Sequence, residues 1–323
     1  MMNPSGKMIG KKLQDNSALI ILAVLLVTGS ICYPKFLTPL NMFNVVRQVS
    51  FNGLIAIGMT FVIITGGIDL SVGSIFAFAS VFSSYVQTLP LPLMFIITLG
   101  LCSLMGLFNG LVVTKLNIAP FIVTLSTMMG YRGICYLLTN GGTTRRIVND
   151  QFVSISRSYL MGLIPVPAII LLLVLIAAAW VLKNTTFGRT VYAVGGNSDA
   201  ARMMGLPIQR VKILVYSISG FLSGLSGMLM ASRMSSGEPV AGNGYEMNAI
   251  SSVVLGAALL SGGKGNAVNT IFGAMVLGVL NNLLNMQGTM SAQVQNVVMG
   301  VLLLLIVIVQ SSIKWADGSR AGT

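Results

Sequence analysis

The chain has 323 residues, of which 54% are hydrophobic and only 8% charged, with a mean hydropathy of +0.87 and a formal net charge of +12. A soluble domain carries about a quarter charged residues, so this composition excludes an ordinary water-facing surface. The absence of histidine excludes His-based proton relays, His metal ligands and His general bases. Apolar runs of the ~20 residues needed to cross a hydrocarbon core of ~30 Å recur along the chain. In lipid the backbone must satisfy its own hydrogen bonds, which requires helices here. The expectation is an all-α polytopic membrane protein of about ten transmembrane helices (eight to ten), forming a single transmembrane domain over 1–323.

In chain order, a tail 1–16 carries Lys7, Lys11 and Lys12, which the positive-inside rule assigns to the cytoplasm. Spans are expected at 17–34, 48–66, 73–89, 91–114, 118–138, 162–182, 213–232, 248–262, 266–286 and 292–313. The first is longer than a signal-peptide core and lacks a small-x-small cleavage site, so it reads as a retained anchor. Span 248–262 is short and Gly-rich, which suits a tilted or re-entrant segment. An even number of crossings returns loop 183–212, with five Lys/Arg, to the cytoplasm, and both termini lie there too. The outer loop 139–161 fits the rule least, because it holds Arg145, Arg146 and Arg157. Cys32, Cys102 and Cys135 have no metal or disulfide spacing and read as small buried side chains.

Asp69 stands out in "TFVIITGGIDLSVGSIF", because only seven residues of the chain are acidic. One reading is a turn followed by a helix start: Gly66 and Gly67 break the incoming helix, and Asp69 or Ser71 caps the outgoing one. The other is a broken-helix element lining a polar path with Asp69, Ser71 and Ser74. The two are compatible. "GGIDLSVGSIF" (66–76) is echoed by "GGKGNAVNTIF" (262–272), which shares both glycines, the valine and the Ile-Phe pair, as an internal repeat would. "SGGKGNAV" lacks the spacing of a phosphate-binding loop, so any ATP is bound on another chain.

Gly106 to Gly110 and Gly220 to Gly224 are small-residue pairs expected to pack helices closely. Asn109, Thr124, Asn281 and Asn285 are polar groups within spans, and their amides and hydroxyls suit an uncharged polyol. In "NSDAARMMGLP", Ser198 is a plausible N-cap, Asp199 suits the positive helix end, and Gly205 before Pro207 stops the helix. So short a helix is unstable alone in water. A partner surface would hold it, or alternatively the membrane interface.

"GGIDLSVGS", "TTFGRTVYAVGGNSDAARMMGLPIQRVKI" and "GYEMNAISSVVLGAALLSGGKG" together resemble the permease subunits of bacterial ABC importers for ribose and similar simple sugars. The similarity runs in the same order over roughly 17–310. It implies a cell inner-membrane protein acting with a second permease copy or homologue, cytoplasmic ATPase subunits and a periplasmic sugar-binding protein. It implies no catalytic residue and no metal in this chain, with ATP and Mg on the partner ATPase. Asp199-Ala200-Ala201 followed by Gly205 is similar to the Glu-Ala-Ala…Gly loop by which importer permeases dock their ATPases, with Asp in place of Glu and the Leu-Pro pair directly after Gly205. Arg189 and Ser198 belong to the same docking stretch. The resemblance also favours a path role for Asp69, Ser71 and Ser74. The alternative function is a secondary sugar transporter coupled to protons or Na⁺, which would need Asp69, Glu238 or Glu246 as its titratable group.

Overall fold

The computed structural model describes residues 17–160 and 162–288, with isolated positions between 294 and 304. The expected tail 1–16 and span 292–313 fall largely outside them. Twelve helices run through the described part. They are α1 (Ser17–Cys32), α2 (Pro39–Ile64), α3 (Val72–Tyr85), α4 (Leu91–Lys115), α5 (Pro120–Leu138), α6 (Asp150–Arg157), α7 (Val166–Asn184), α8 (Thr186–Gly196), α9 (Ser198–Met203), α10 (Ile208–Met234), α11 (Tyr245–Leu255) and α12 (Ala267–Gln287). Among the described residues six helices are long and apolar enough to cross a membrane: α2, α4, α5, α7, α10 and α12. The shorter α1 and α3 are also apolar. This is the architecture of a polytopic helical membrane protein.

Proline marks the first turns of α2, α4, α5 and α7, where its missing N–H and fixed φ do no harm. Asn149, Thr185, Asn197 and Asn266 cap α6, α8, α9 and α12 through side-chain oxygens. α10 is the central post, packed against α4, α2 and α3. Its small-residue pair meets that of α4: a methyl group at Gly220 would stand 3.0 Å from the Gly106 nitrogen and 3.1 Å from its Cα. The peripheral helices expose apolar side chains such as Ile96, Leu104, Leu173 and Trp180, as a lipid-facing surface requires.

The helices depart from the sequence expectation where polarity or length misleads. α2 begins at Pro39 rather than 48, because Asn41, Asn44, Arg47 and Gln48 lower the apolar signal of a turn that packs against protein. α3 and α11 have 14 and 11 residues, about 21 and 16 Å at 1.5 Å per residue, too short to cross a ~30 Å core alone. Span 248–262 therefore reduces to the half-helix α11 followed by non-helical backbone to Asn266. Loop 139–161 is a folded cap rather than a plain connection. Its β1 (Arg145–Arg146) pairs antiparallel with β4 (Ser236–Gly237), Arg145 opposite Gly237. A second two-residue pair joins β2 (Tyr159–Leu160) to β3 (Ile164–Pro165). α6 buries Phe152 and ties to α10 through the Ser156 hydroxyl, which donates to the Leu229 carbonyl at 2.6 Å.

Candidate functional site: a buried carboxylate cluster and an exposed knob

α2 ends at Ile64, and Gly66 takes the left-handed conformation (φ +76°) that turns the chain back into the protein. Residues 67–69 run without helix, and α3 starts at Val72. This re-entry carries Asp69 to Ser219, near the middle of α10 (Ile208–Met234). The break thus sets Asp69 against the central post of the bundle.

Asp69 is fully buried. Its Oδ1 accepts from the Ser71 backbone N–H (3.1 Å) and hydroxyl (2.6 Å), and its Oδ2 accepts from the Ser219 hydroxyl (2.9 Å). The Asn109 amide donates to Ser71 Oγ at 2.8 Å, and Tyr131 OH donates to the Met105 carbonyl at 3.1 Å and to Asn109 Oδ1 at 3.4 Å. The neighbouring Ile68 carbonyl accepts from Tyr216 OH (3.2 Å) and Thr124 Oγ1 (3.4 Å). Ser74 donates to the Ser71 carbonyl at 2.7 Å. Among the described residues no metal-binding group of His, Cys, Asp or Glu forms. The carboxylate is held by hydroxyls and a backbone amide, an arrangement that locks the break between α2 and α3 onto α4, α5 and α10.

Of the sequence-derived path residues, Asp69, Ser71, Ser74, Asn109 and Thr124 come together and are all fully buried. They face protein rather than water in this conformation. Asp69 accepts the Ser71 N–H two residues on, as an Asx turn does, but Ser71 occupies the N-cap position of α3 and no side chain caps that helix. Asn281 and Asn285 lie elsewhere on α12: Asn285 is exposed near its end, and Asn281 lines a crevice with Gln48, Asn52 and Asn248. Sequence reasoning missed Ser219, Tyr131 and Tyr216. A serine in a small-residue stripe reads as packing until the chain is folded, so no local signal marks Ser219.

At one end of the bundle, α8 and α9 project from α7. Asn197, not Ser198, caps α9: its Oδ1 accepts from the backbone N–H groups of Asp199 and Ala200, both at 3.0 Å. Ser198 is the first residue of the helix instead. Asparagine offers a carbonyl oxygen at the same reach, and the extended backbone at 197 suits the cap. α9 stops in a double bond pattern, with Gly205 N–H donating to Arg202 (2.9 Å) and Leu206 N–H to Ala201 (3.0 Å). Gly205 supplies the left-handed residue at φ +74° that this stop needs. Ala201 packs with Val194, Leu206 and Ile208. Arg189, Ser198, Asp199 and Ala200 remain exposed, and Met203 and Met204 are 91% and 68% exposed. Beside them runs a groove of about 440 Å³ between Arg202 and Arg210.

α8, a helix within the expected loop 183–212, fixes this knob to the membrane part. Phe187 stacks on Phe61 of α2, with ring centroids 6.4 Å apart. Gly195 lies so close to the Ile64 carbonyl that a methyl group there would collide with it. Tyr192 OH donates to the Gly265 carbonyl at 2.8 Å, and burial pushes its phenol above the usual tyrosine range, keeping it a neutral donor. Gly263 N–H donates to the same Ile64 carbonyl at 2.9 Å. The two echoed glycine pairs meet here, a methyl group at Gly262 standing 2.9 Å from the Gly66 nitrogen.

Comparison with known proteins places this arrangement in context. The chain is 44% identical over 290 residues, 89% of each chain, to the ribose import permease protein RbsC of Bacillus subtilis (strain 168). It is 39% identical over 306 residues to the protein of the same name from Escherichia coli (strain K12), covering 93% of this chain and 94% of that one. It is 38% identical over 292 residues to the L-arabinose transport system permease protein AraH of Escherichia coli (strain K12), covering 90% and 88%. No solved structure matches it. The family model described as branched-chain amino acid transport system / permease component matches residues 41–307, and the chain belongs to that family.

Proposed function

We propose that this chain is the membrane-spanning permease subunit of an ATP-binding-cassette importer that carries a ribose-like monosaccharide into the cytoplasm. It is not an enzyme: ATP and Mg²⁺ bind a partner ATPase. The partners are cytoplasmic ATPase subunits, a periplasmic sugar-binding protein and a second copy or homologue of the permease. About ten segments enter the bilayer, both termini are cytoplasmic, and α8 and α9 stand on the cytoplasmic side. This assignment follows the five Lys/Arg of 183–212.

One observation carries the reading: a chain 44% identical to a ribose import permease over 89% of its length ends one side of its bundle in an exposed, capped two-turn helix. A six-residue helix is unstable by itself, and Met203 and Met204 on it face outward, where an ATPase cleft would cover them. Arg189, Ser198, Asp199, Ala200, Ala201 and Gly205 form this docking element. Motion of the ATPases reaches the membrane through α8, which is packed against the end of α2 and bonded to the loop before α12. Both glycine junctions therefore feel it. The Asp69 cluster is the fixed point about which α3 is held, on the edge of the path.

The test is reconstitution in vesicles with the ATPase and binding protein, with and without each. Ribose accumulation is expected only with both partners and ATP. Accumulation by the chain alone would overturn the reading in favour of a coupled secondary transporter. Gly205→Glu, which forces a side chain onto a left-handed residue beside the exposed methionines, is expected to abolish co-purification of the ATPase. Normal co-purification together with normal uptake would refute the docking assignment.

A further inference from the structure

A second polar feature lies apart from the Asp69 cluster. α2, α11 and α12 enclose a crevice of about 90 Å³, walled by Gln48 and Asn52, by Tyr245 and Asn248, and by Asn281. Gln48 and Asn52 are four residues apart on α2, and Tyr245 and Asn248 three apart on α11, so each pair shares a helix face. Three helices thus turn amide side chains towards one space.

Only one of those amides is partly spent on holding the helices together. Asn52 Nδ2 donates to Ser252 Oγ at 3.1 Å, but its Oδ1 is buried and has no partner. The side chains of Gln48, Asn248 and Asn281 make no hydrogen bond to protein among the described residues. A buried amide oxygen without a partner, as Asn52 Oδ1 is, is costly, so the crevice suits water or a polar ligand. None of its walls carries a charge, which excludes an ionic ligand as the natural occupant. An amide donates and accepts at once, as a hydroxyl does. The Tyr245 ring offers an apolar face of the kind that covers the C–H side of a ring. At about 30 Å³ per water, the space suits three waters or one hydroxyl-bearing edge of a pentose.

We propose that this crevice is a transport subsite for a neutral, polyhydroxylated ligand, with Asn52 Oδ1 accepting from one hydroxyl and Asn248 and Asn281 bridging its neighbours. The proposal rests on the sugar-import reading and deepens it: selectivity is exercised in the membrane as well as by the binding protein.

The assembled transporter, with its ATPase and binding protein in vesicles, allows the test. Uptake of D-ribose and 2-deoxy-D-ribose is compared in the parent and in Asn52→Ala and Asn281→Ala. The binding protein is unchanged, so its share cancels in the ratio. A lost hydrogen bond of about 1.4 kcal/mol corresponds to about tenfold. The preference for ribose over the deoxy sugar is therefore expected to shrink about tenfold in at least one variant. Equal losses for both sugars, as weakened packing would give, or no change, overturn the subsite. A second readout uses Asn281→Cys in a Cys32→Ser background and a small cationic thiosulfonate. Ribose is expected to slow labelling several-fold, and an unchanged rate counts against the proposal. Failure of the parent transporter to import ribose at all would instead bring down the underlying sugar-import reading.

Discussion

The junctions 64–72 and 256–267 begin from the same pattern and reach different ends. In the first, the long helix α2 precedes the break and the short α3 follows it; in the second, the short α11 precedes and the long α12 follows. Both use left-handed glycines, Gly66 at φ +76° and Gly262 at φ +91°. Both present a carbonyl to a tyrosine, Ile68 to Tyr216 and Gly265 to Tyr192. Yet where the first has Asp69, the second has Gly265, and the carboxylate gathers Ser71 and Ser219 around it. The glycines make the break; the residue three positions on decides what the break is tied to. The first is anchored inside the bundle, and the second to α8, on the side of the knob.

The largest expected effect comes from removing that difference. Asp69→Ala leaves the Ser71 N–H, the Ser71 hydroxyl and the Ser219 hydroxyl without their acceptor in a fully buried site. At about 1–3 kcal/mol for each orphaned donor, the loss exceeds about 3 kcal/mol, enough to lower the melting temperature in detergent by ~5 °C and to reduce the amount of protein in the membrane. Asp69→Asn keeps an acceptor, and the Ser219 hydroxyl can turn to accept from the new amide. Its loss should be less than half as large. Equal melting temperatures for Asp69→Ala and the parent would show that the cluster does not hold the break.

A smaller effect separates the two glycines. At Gly66 a methyl group meets only the Ser261 carbonyl at 3.5 Å, so Gly66→Ala suffers the left-handed backbone alone, about 1–2 kcal/mol. At Gly262 it would also stand 2.8 Å from the Gly195 carbonyl and 2.9 Å from the Gly66 nitrogen. Gly262→Ala must push apart α8 and both junctions. It is expected to lower stability more than Gly66→Ala, and to lower ATP-driven uptake further than the stability loss explains. Indistinguishable melting temperatures and uptake would mean that the junctions do not meet tightly.

How much of this was legible follows from the range of each signal. Long apolar runs fixed α4, α5, α7 and α10 to within a few residues, because lipid selects for exactly the property that hydropathy measures. The Gly205 stop of α9 was legible as local backbone chemistry. Of the two half-helices, α11 was legible as a short, Gly-rich run, but α3 was not, and only the contact of Asp69 with Ser219 shows how the break before it is seated. α8 was missed because its amphipathic face packs on α2 and loop 262–265, contacts distant in sequence. Asn281 pointed to a polar feature, but its companions Gln48, Asn52 and Asn248 sit on other helices.

The smallest expected effect compares the two tyrosines. Tyr216→Phe removes a donor to the Ile68 carbonyl at a residue only 1% exposed. Water cannot replace it there, and among the described residues the carbonyl keeps only Thr124 Oγ1 at 3.4 Å, a hydroxyl that already donates to the Pro120 carbonyl at 2.8 Å. A loss of about 1 kcal/mol is expected. Tyr192→Phe removes a donor to the Gly265 carbonyl, but Tyr192 is only half-buried and water can step in, so about 0.5 kcal/mol is expected. The order should reverse in function, because Tyr192 ties α8 to the loop before α12 while Tyr216 lies inside the bundle. Uptake normalised to ATP hydrolysed should fall more in Tyr192→Phe than in Tyr216→Phe, although its melting temperature falls less. If coupling instead follows stability, the tie through Gly265 carries no motion and the two junctions differ only in how they are built.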